Sequence, residues 1–184
     1  MENGGTATRG QGIILFRMAP QATARTDVAA AVDALRRLVQ ELRASSVAAE
    51  RRGGLSGAQL FVLEQLAEAP AASLNELAAR TLTHQSSVSV VVSRLVKRGL
   101  VERVPDGRDA RRRVIELTAA GHTLLRSAPA TFQAKLISVL GGLSAAERRM
   151  VARGLRLVVQ RLGLGERPAP LFLEGPRDAG ASDV

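Results

Sequence analysis

Apolar positions recur at helical spacing along most of this chain and alternate only in one short central stretch. From Asp27 onward, Val28, Val32, Leu35, Val39 and Leu42 fall at i, i+4, i+7, i+11 and i+14. That is one stripe of a helix with polar residues opposite. Gly53-Gly54 breaks it. The stripe is long and has little nearby sequence to cover it, which suits a subunit interface. Residues 1–26 are rich in Gly, Ala and Thr and read as a flexible arm, with the apolar patch at 13–18 docked on the core or on a partner subunit. Three further helix starts carry the capping-box pattern, in which a Ser and an acid or amide three residues on satisfy each other's free N–H groups. They are Ser56…Gln59, Ser73…Glu76 and Ser144…Glu147, predicting helices over about 57–68, 74–80 and 145–162. Pro70 ends the first of these. Thr118 caps another, over about 119–140, with Gly141-Gly142 as its stop. Residues 164–184 read as a flexible tail.

The segment 84–98 fits two periods. Val88, Val90 and Val92 alternate as a strand would, and β-branched residues favour strands. A helix instead gathers Val88, Val91, Val92 and Leu95 on one face. Length decides for the helix: the stripe runs on through Leu95 and Val96, and Gly99 stands where a helix C′ residue belongs. Leu100–Val104 and Arg112–Leu117 then alternate as two strands around the turn at 105–110. The predicted fold is mainly α with a small β-hairpin wing, a winged helix-turn-helix plus a helical dimerisation region. Its domain spans 27–163, with a central lobe at 55–117 and outer helices at 27–52 and 118–163. The outer helices cannot bury their apolar faces on so small a core. Val32, Leu35, Val39, Leu42, Leu155, Val158 and Leu162 are therefore expected at a homodimer interface.

Charge sharpens this picture. Residues 94–113 carry eight basic side chains against three acidic ones, a net +5 of the chain's +9. A local basic cluster favours a polyanion partner, and no basic amphipathic helix with aromatic anchors points to a membrane surface instead. Of 26 basic residues only Lys97 and Lys135 are lysine, and the planar Arg fork suits phosphate and guanine. At 100° per residue, the face opposite the valine stripe holds Ser86, Val90, Ser93 and Lys97, flanked by Ser87, Ser89 and Arg94, with Gln85 at the helix start. Small side chains let a helix sit deep in a major groove. Ser reaches base edges or phosphate, Val90 meets a thymine methyl, Arg94 forks to guanine or phosphate, and Gln85 reads adenine. The plain alternative is an ordinary solvated face; the basic hairpin that follows favours DNA. At that hairpin tip Arg108 and Arg111 concentrate charge suited to a narrow minor groove, Arg113 is a further DNA-binding candidate, and Asp109 is placed to hold a neighbouring Arg in position.

The stretch Asp109-Ala-Arg111-Arg112-…-Leu117-Thr118-Ala-Ala-Gly121 matches D-x-R-(S/R)-x4-L-T-x2-G. In this the chain resembles the MarR family of bacterial transcriptional regulators, over roughly residues 28–162. The resemblance implies an obligate homodimer joined by its terminal helices, a palindromic double-stranded DNA operator, and often repression relieved by a small aromatic or phenolic ligand. It places Arg111 in the minor groove with Asp109 orienting it. It fixes no ligand-binding residues. With no Trp or Tyr, an aliphatic pocket fits better than an aromatic one.

The absence of cysteine removes disulfides, thiolate metal sites, cysteine catalysis and thiol redox sensing, and fits a cytoplasmic protein; the resemblance implies a bacterial, nucleoid-associated one. No apolar run is long enough for a signal peptide or a bilayer span. An enzyme is disfavoured: His84 and His122 are the only histidines, and no nucleophile pattern, metal spacing or phosphate-cradling Gly loop accompanies them. No cofactor or metal is expected. A winged helix that binds protein would not need an arginine-rich wing, and an RNA binder would need exposed stacking aromatics. A regulator that acts constitutively, without any ligand, stays open.

Overall fold

In a computed structural model, residues 12–106, 113–165 and 171 are described. The elements run α1 (Gly12–Gly53), α2 (Gly57–Glu68), α3 (Leu74–Arg80), α4 (Gln85–Lys97), β1 (Val101–Pro105), β2 (Arg113–Leu117), α5 (Ala119–Ser127), α6 (Phe132–Gly142) and α7 (Ala145–Arg161). The architecture is mainly helical with one small antiparallel hairpin, as the hydrophobic pattern predicts. Packing divides the chain into Met1–Glu41 and Leu42–Val184.

In the first unit the helix already runs from Gly12, ahead of the start near Asp27 that the apolar stripe marks. Elongating an existing helix avoids the cost of nucleation, and the Ala, Leu, Met, Gln and Arg residues of that stretch favour it, against Pro20, which removes one interior helix bond. Val28, Val32, Leu35 and Val39 are all exposed in this unit. The Arg37–Asp33 pair at 2.8 Å, one turn apart, is exposed and contributes only about 0.3–0.5 kcal/mol.

The second unit holds the core. Phe61, Leu63, Leu77, Val88, Val92, Leu95, Val101, Ile115 and Leu117 form one buried cluster with Leu55 and Ala49. The last three turns of α1 belong here: the Ser46 hydroxyl accepts from the Gly57 N–H, and the Ser45 hydroxyl from that of Phe132. β1 and β2 pair from Val101↔Leu117 to Pro105↔Arg113. Ala71 adds a bridge to Ile115, its N–H donating at 2.9 Å and its carbonyl accepting at 2.8 Å. The sequence carries no signal for that third partner, because a one-residue bridge has no periodicity.

Two capping boxes form as predicted, at Ser56/Gln59 and Ser144/Glu147. The one at Ser73 is shifted: Ser73 accepts from the Glu76 N–H, but the Glu76 carboxylate accepts from Ala72 instead of Ser73. The single helix expected over 119–140 is two. Pro129 forces Ala128 into extended backbone (φ −90, ψ 143), and Thr131 caps α6 afresh. Leu171 is buried and joins the core cluster, while residues 166–170 and 172–184 of the tail expected over 164–184 lie outside the described residues.

The start of α6 rests on a half-buried carboxylate. Glu64 of α2 accepts from the Thr131 N–H at 2.6 Å and from its hydroxyl at 2.5 Å. Burial pushes the Glu64 carboxyl up; the Thr131 bonds oppose this and Glu68 adds to it. A carboxyl raised on folding binds its proton more tightly in the native state. Its contribution to stability is therefore present at low pH and lost as pH rises from its ordinary value of about 4.3 through the raised one. Glu64→Gln, which keeps an acceptor for the Thr131 N–H, should remove that loss. Urea midpoints across this pH range should diverge in favour of the variant as pH rises; parallel profiles would show that Glu64 is not desolvated.

Candidate nucleic-acid interface

Three helices and the hairpin build this site. α4 packs against α2, α3 and β1. Val88, Val91, Val92 and Leu95 turn inward and are fully buried. Four apolar side chains at helical spacing explain why a β-branched segment takes helical form. Burial of each is worth about 1.5–3 kcal/mol, against a propensity penalty of a few tenths per residue. The opposite face is what this packing leaves outside. Gln85, Ser86, Val90, Ser93 and Lys97 are exposed there, with Val90 44% exposed. Ser87, Ser89 and Arg94 sit at the half-buried edges. The structure thus groups all eight helix residues singled out in the sequence on or beside one outward surface.

Both ends of α4 are set by backbone. At its C-terminus Gly99 adopts φ +68, its N–H donates to Val96, and the Leu100 N–H donates to Leu95. That is the Schellman arrangement, with buried Leu95 and Leu100 as its hydrophobic pair. The turn between α3 and α4 has the same bonds, Leu82 N–H to Ala79 and Thr83 N–H to Ala78, but with Leu82 at φ +52. A leucine in left-handed backbone costs roughly 1–2 kcal/mol, and Leu82 is 73% exposed. Buried Thr81 steadies the turn, its hydroxyl donating to Leu77 and Ala78.

The hairpin is rooted on the end of α4 through Thr118. Its N–H donates to the Leu100 carbonyl at 3.1 Å and its hydroxyl to that of Gly99 at 2.7 Å. The same hydroxyl accepts from the Gly121 N–H at 3.1 Å, capping α5. Gly121 is required by space: a Cβ there would stand 2.2 Å from the Leu100 oxygen. The Leu117-Thr118-x-x-Gly121 half of the motif is therefore a joint between the end of α4, the hairpin and α5. Arg113 is exposed at the turn end of β2, its Nη1 donating to the Arg103 carbonyl at 3.3 Å. Arg108, Asp109 and Arg111 lie outside the described residues.

Of the basic cluster, Arg98 is committed elsewhere, bonded to the carbonyls of Gly53 and Gly54. Sequence reasoning counted its charge and missed its role, since its partners lie 45 and 44 residues away. Among the described residues no group of three His, Cys, Asp or Glu side chains is placed to hold a metal ion. No helix of the described residues is long and apolar enough to cross a membrane.

A helix with a small polar outer face, preceded by a helix and turn and followed by a hairpin, is a winged helix-turn-helix. Residues 53–112 match the model of the MarR family. The chain is also similar to a solved MarR family transcription regulator at 26% identity, with 77% of this chain and 93% of that one covered and a TM-score of 0.50. Similarity extends to the transcriptional regulator BldR from Sulfolobus solfataricus, at 22% identity, 75% and 96% coverage and a TM-score of 0.46. A MarR variant from E. coli, solved with operator DNA, has 21% identity, 72% and 96% coverage and a TM-score of 0.48. Among curated proteins none matches significantly. Over residues 53–112 the chain is thus similar to the MarR family of transcription regulators.

The joint yields a direct test. Gly121→Ala should force the Leu100 carbonyl and the root of the wing to move, costing about 1–3 kcal/mol as overpacking does. Denaturant unfolding should show the loss; a variant of unchanged stability would mean that α5 is not seated on that carbonyl.

Proposed function

We propose that this protein is a homodimeric, sequence-specific double-stranded DNA-binding regulator acting at the bacterial nucleoid. α4 enters the major groove and the wing the adjacent minor groove. The observation that carries this reading is the outward face of α4: small and polar, fixed at both ends, and backed by a fully buried valine face. Ser86 and Val90 are assigned to base edges, Gln85 and Ser93 to bases or phosphate, and Arg94 and Lys97 to guanine or phosphate. Arg108, Arg111 and Arg113 supply the minor-groove and backbone contacts, with Asp109 orienting Arg111. Ser86→Ala and Val90→Ala should lower affinity for the operator recovered from genomic DNA more than affinity for scrambled duplex at the same salt. Equal losses on both would mean that this face does not read bases.

Dimerisation is supported by apolar surface that the single chain leaves uncovered. Val32, Leu35 and Val39 are exposed and Leu42 half-buried; on α7 no residue is buried, and Leu155, Val158 and Leu162 are exposed, the last at 65%. Two-fold symmetry then matches an inverted repeat with half-site centres about 34–36 Å apart. Light scattering should give about twice the chain mass of 19.4 kDa. A monomer that binds DNA with full affinity would defeat this assembly.

The protein acts as a repressor released by a small anionic ligand. On one face of α1, Arg43 and Arg51 flank Ala44, Val47 and Ala48, which offers an anion charge beside apolar surface. By linkage, such a ligand binds free protein better than DNA-bound protein by the factor with which it weakens DNA binding. A gel-shift titration with aromatic carboxylates reads that factor, and no release by any of them points to a constitutive regulator.

A further inference from the structure

Arg98 differs from its basic neighbours in what it touches. It is the C-cap residue of α4, its backbone held by the bond from its N–H to Arg94 at 3.1 Å. Its guanidinium leaves the packing of α4 on α2, α3 and β1 and reaches the end of α1. Nη1 donates to the Gly54 carbonyl at 2.6 Å and Nη2 to the Gly53 carbonyl at 2.9 Å. Carbonyls at a helix C-terminus have no later N–H to serve them, and they form the negative end of the helix dipole. Gly54 at φ +61 turns the chain sharply there, and Nη2 lies within 3.5 Å of where a Cβ would stand. The planar fork thus answers two orphan acceptors with one cation, a geometry an ammonium cannot reproduce.

We propose that Arg98 is a positioning residue for DNA recognition: its fork ties the recognition helix to the C-terminal end of α1, so that a shift of that end is passed to the base-reading face. This rests on the reading of α4 as the DNA-reading helix. It also divides the basic cluster by task, because a guanidinium engaged on two carbonyls serves geometry instead of phosphate neutralisation.

The two roles separate by salt dependence. Wild type, Arg98→Ala and Arg98→Lys, each as the full chain, are titrated against the recovered operator by fluorescence anisotropy at several salt concentrations. Amide hydrogen exchange over residues 50–60 is followed without DNA. Arg98→Ala should bind roughly tenfold more weakly, within the usual span of couplings between sites, with an unchanged slope of log K against log salt. Its exchange at the α1–α2 junction should speed up. Arg98→Lys should stay closer to the Ala variant than to wild type, and it carries the test alone if the Ala variant does not fold. A slope reduced by about one unit per contact, restored by Lys, would make Arg98 a phosphate ligand and overturn the proposal. Unchanged affinity or unchanged exchange would overturn it as well. Should wild type itself bind no DNA, the reading of α4 fails first, while the exchange data still report whether Arg98 holds the two ends together.

Discussion

Burial of the α4 valine face is the interaction on which the rest of this lobe depends. A segment so rich in valine and serine has little intrinsic preference for a helix, and alone in water it would not hold one. Val88, Val91, Val92 and Leu95 change that by fitting a core built from Phe61, Leu63 and Leu77. Once they face inward, the 3.6-residue period places Ser86, Val90, Ser93 and Lys97 outward. The same packing that stabilises the helix therefore selects which side chains meet solvent. A register change of one residue would put serine in the core and valine outside.

A buried face fixes the axis of a helix less well than its ends do, and here the ends carry much of the polar chemistry. The Gly99 turn sends the chain straight into β1, and Thr118 returns from β2 to bond that turn. Arg98 reaches the other way, to the end of α1. The C-terminal end of α4 is thus the meeting point of the wing, α5 and α1. The strained Leu82 stands at the opposite end, in the turn that feeds the helix. Strain of this kind persists only where the surroundings over-determine the backbone, which the Schellman bonds of that turn do.

The apolar surface outside the lobe follows a different rule. Val28, Leu155 and Leu162 are exposed because one chain of this size lacks a second layer to cover them. The proposed dimer accounts for them without asking the lobe to rearrange. Glu64 shows how closely the outer helices are tied to the lobe: its carboxylate in α2 serves as the anchor for the first turn of α6.

Local chemistry was legible in the residues themselves. As caps and turn, Ser56 with Gln59, Ser144 with Glu147, Thr118 with Gly121 and Gly99 act within three or four residues of chain, so their spacing alone predicts them. Capping boxes and Pro70 placed α2 and α3, and the periods of 3.6 and 2 placed α4 and the two strands, and with them the outward face of α4. What needed the tertiary structure were the long-range contacts and the competing local options. Pro129 marks a helix end in the sequence itself, against the single helix expected over 119–140. The extension of α1 to Gly12 depended on elongation from a helix whose start carries no cap signal. Arg98 on Gly53 and Gly54, Glu64 on Thr131, Ala71 on Ile115 and Leu171 in the core join residues far apart in sequence. No periodicity records such pairs, because the side chain chooses its partner only after the helices have packed.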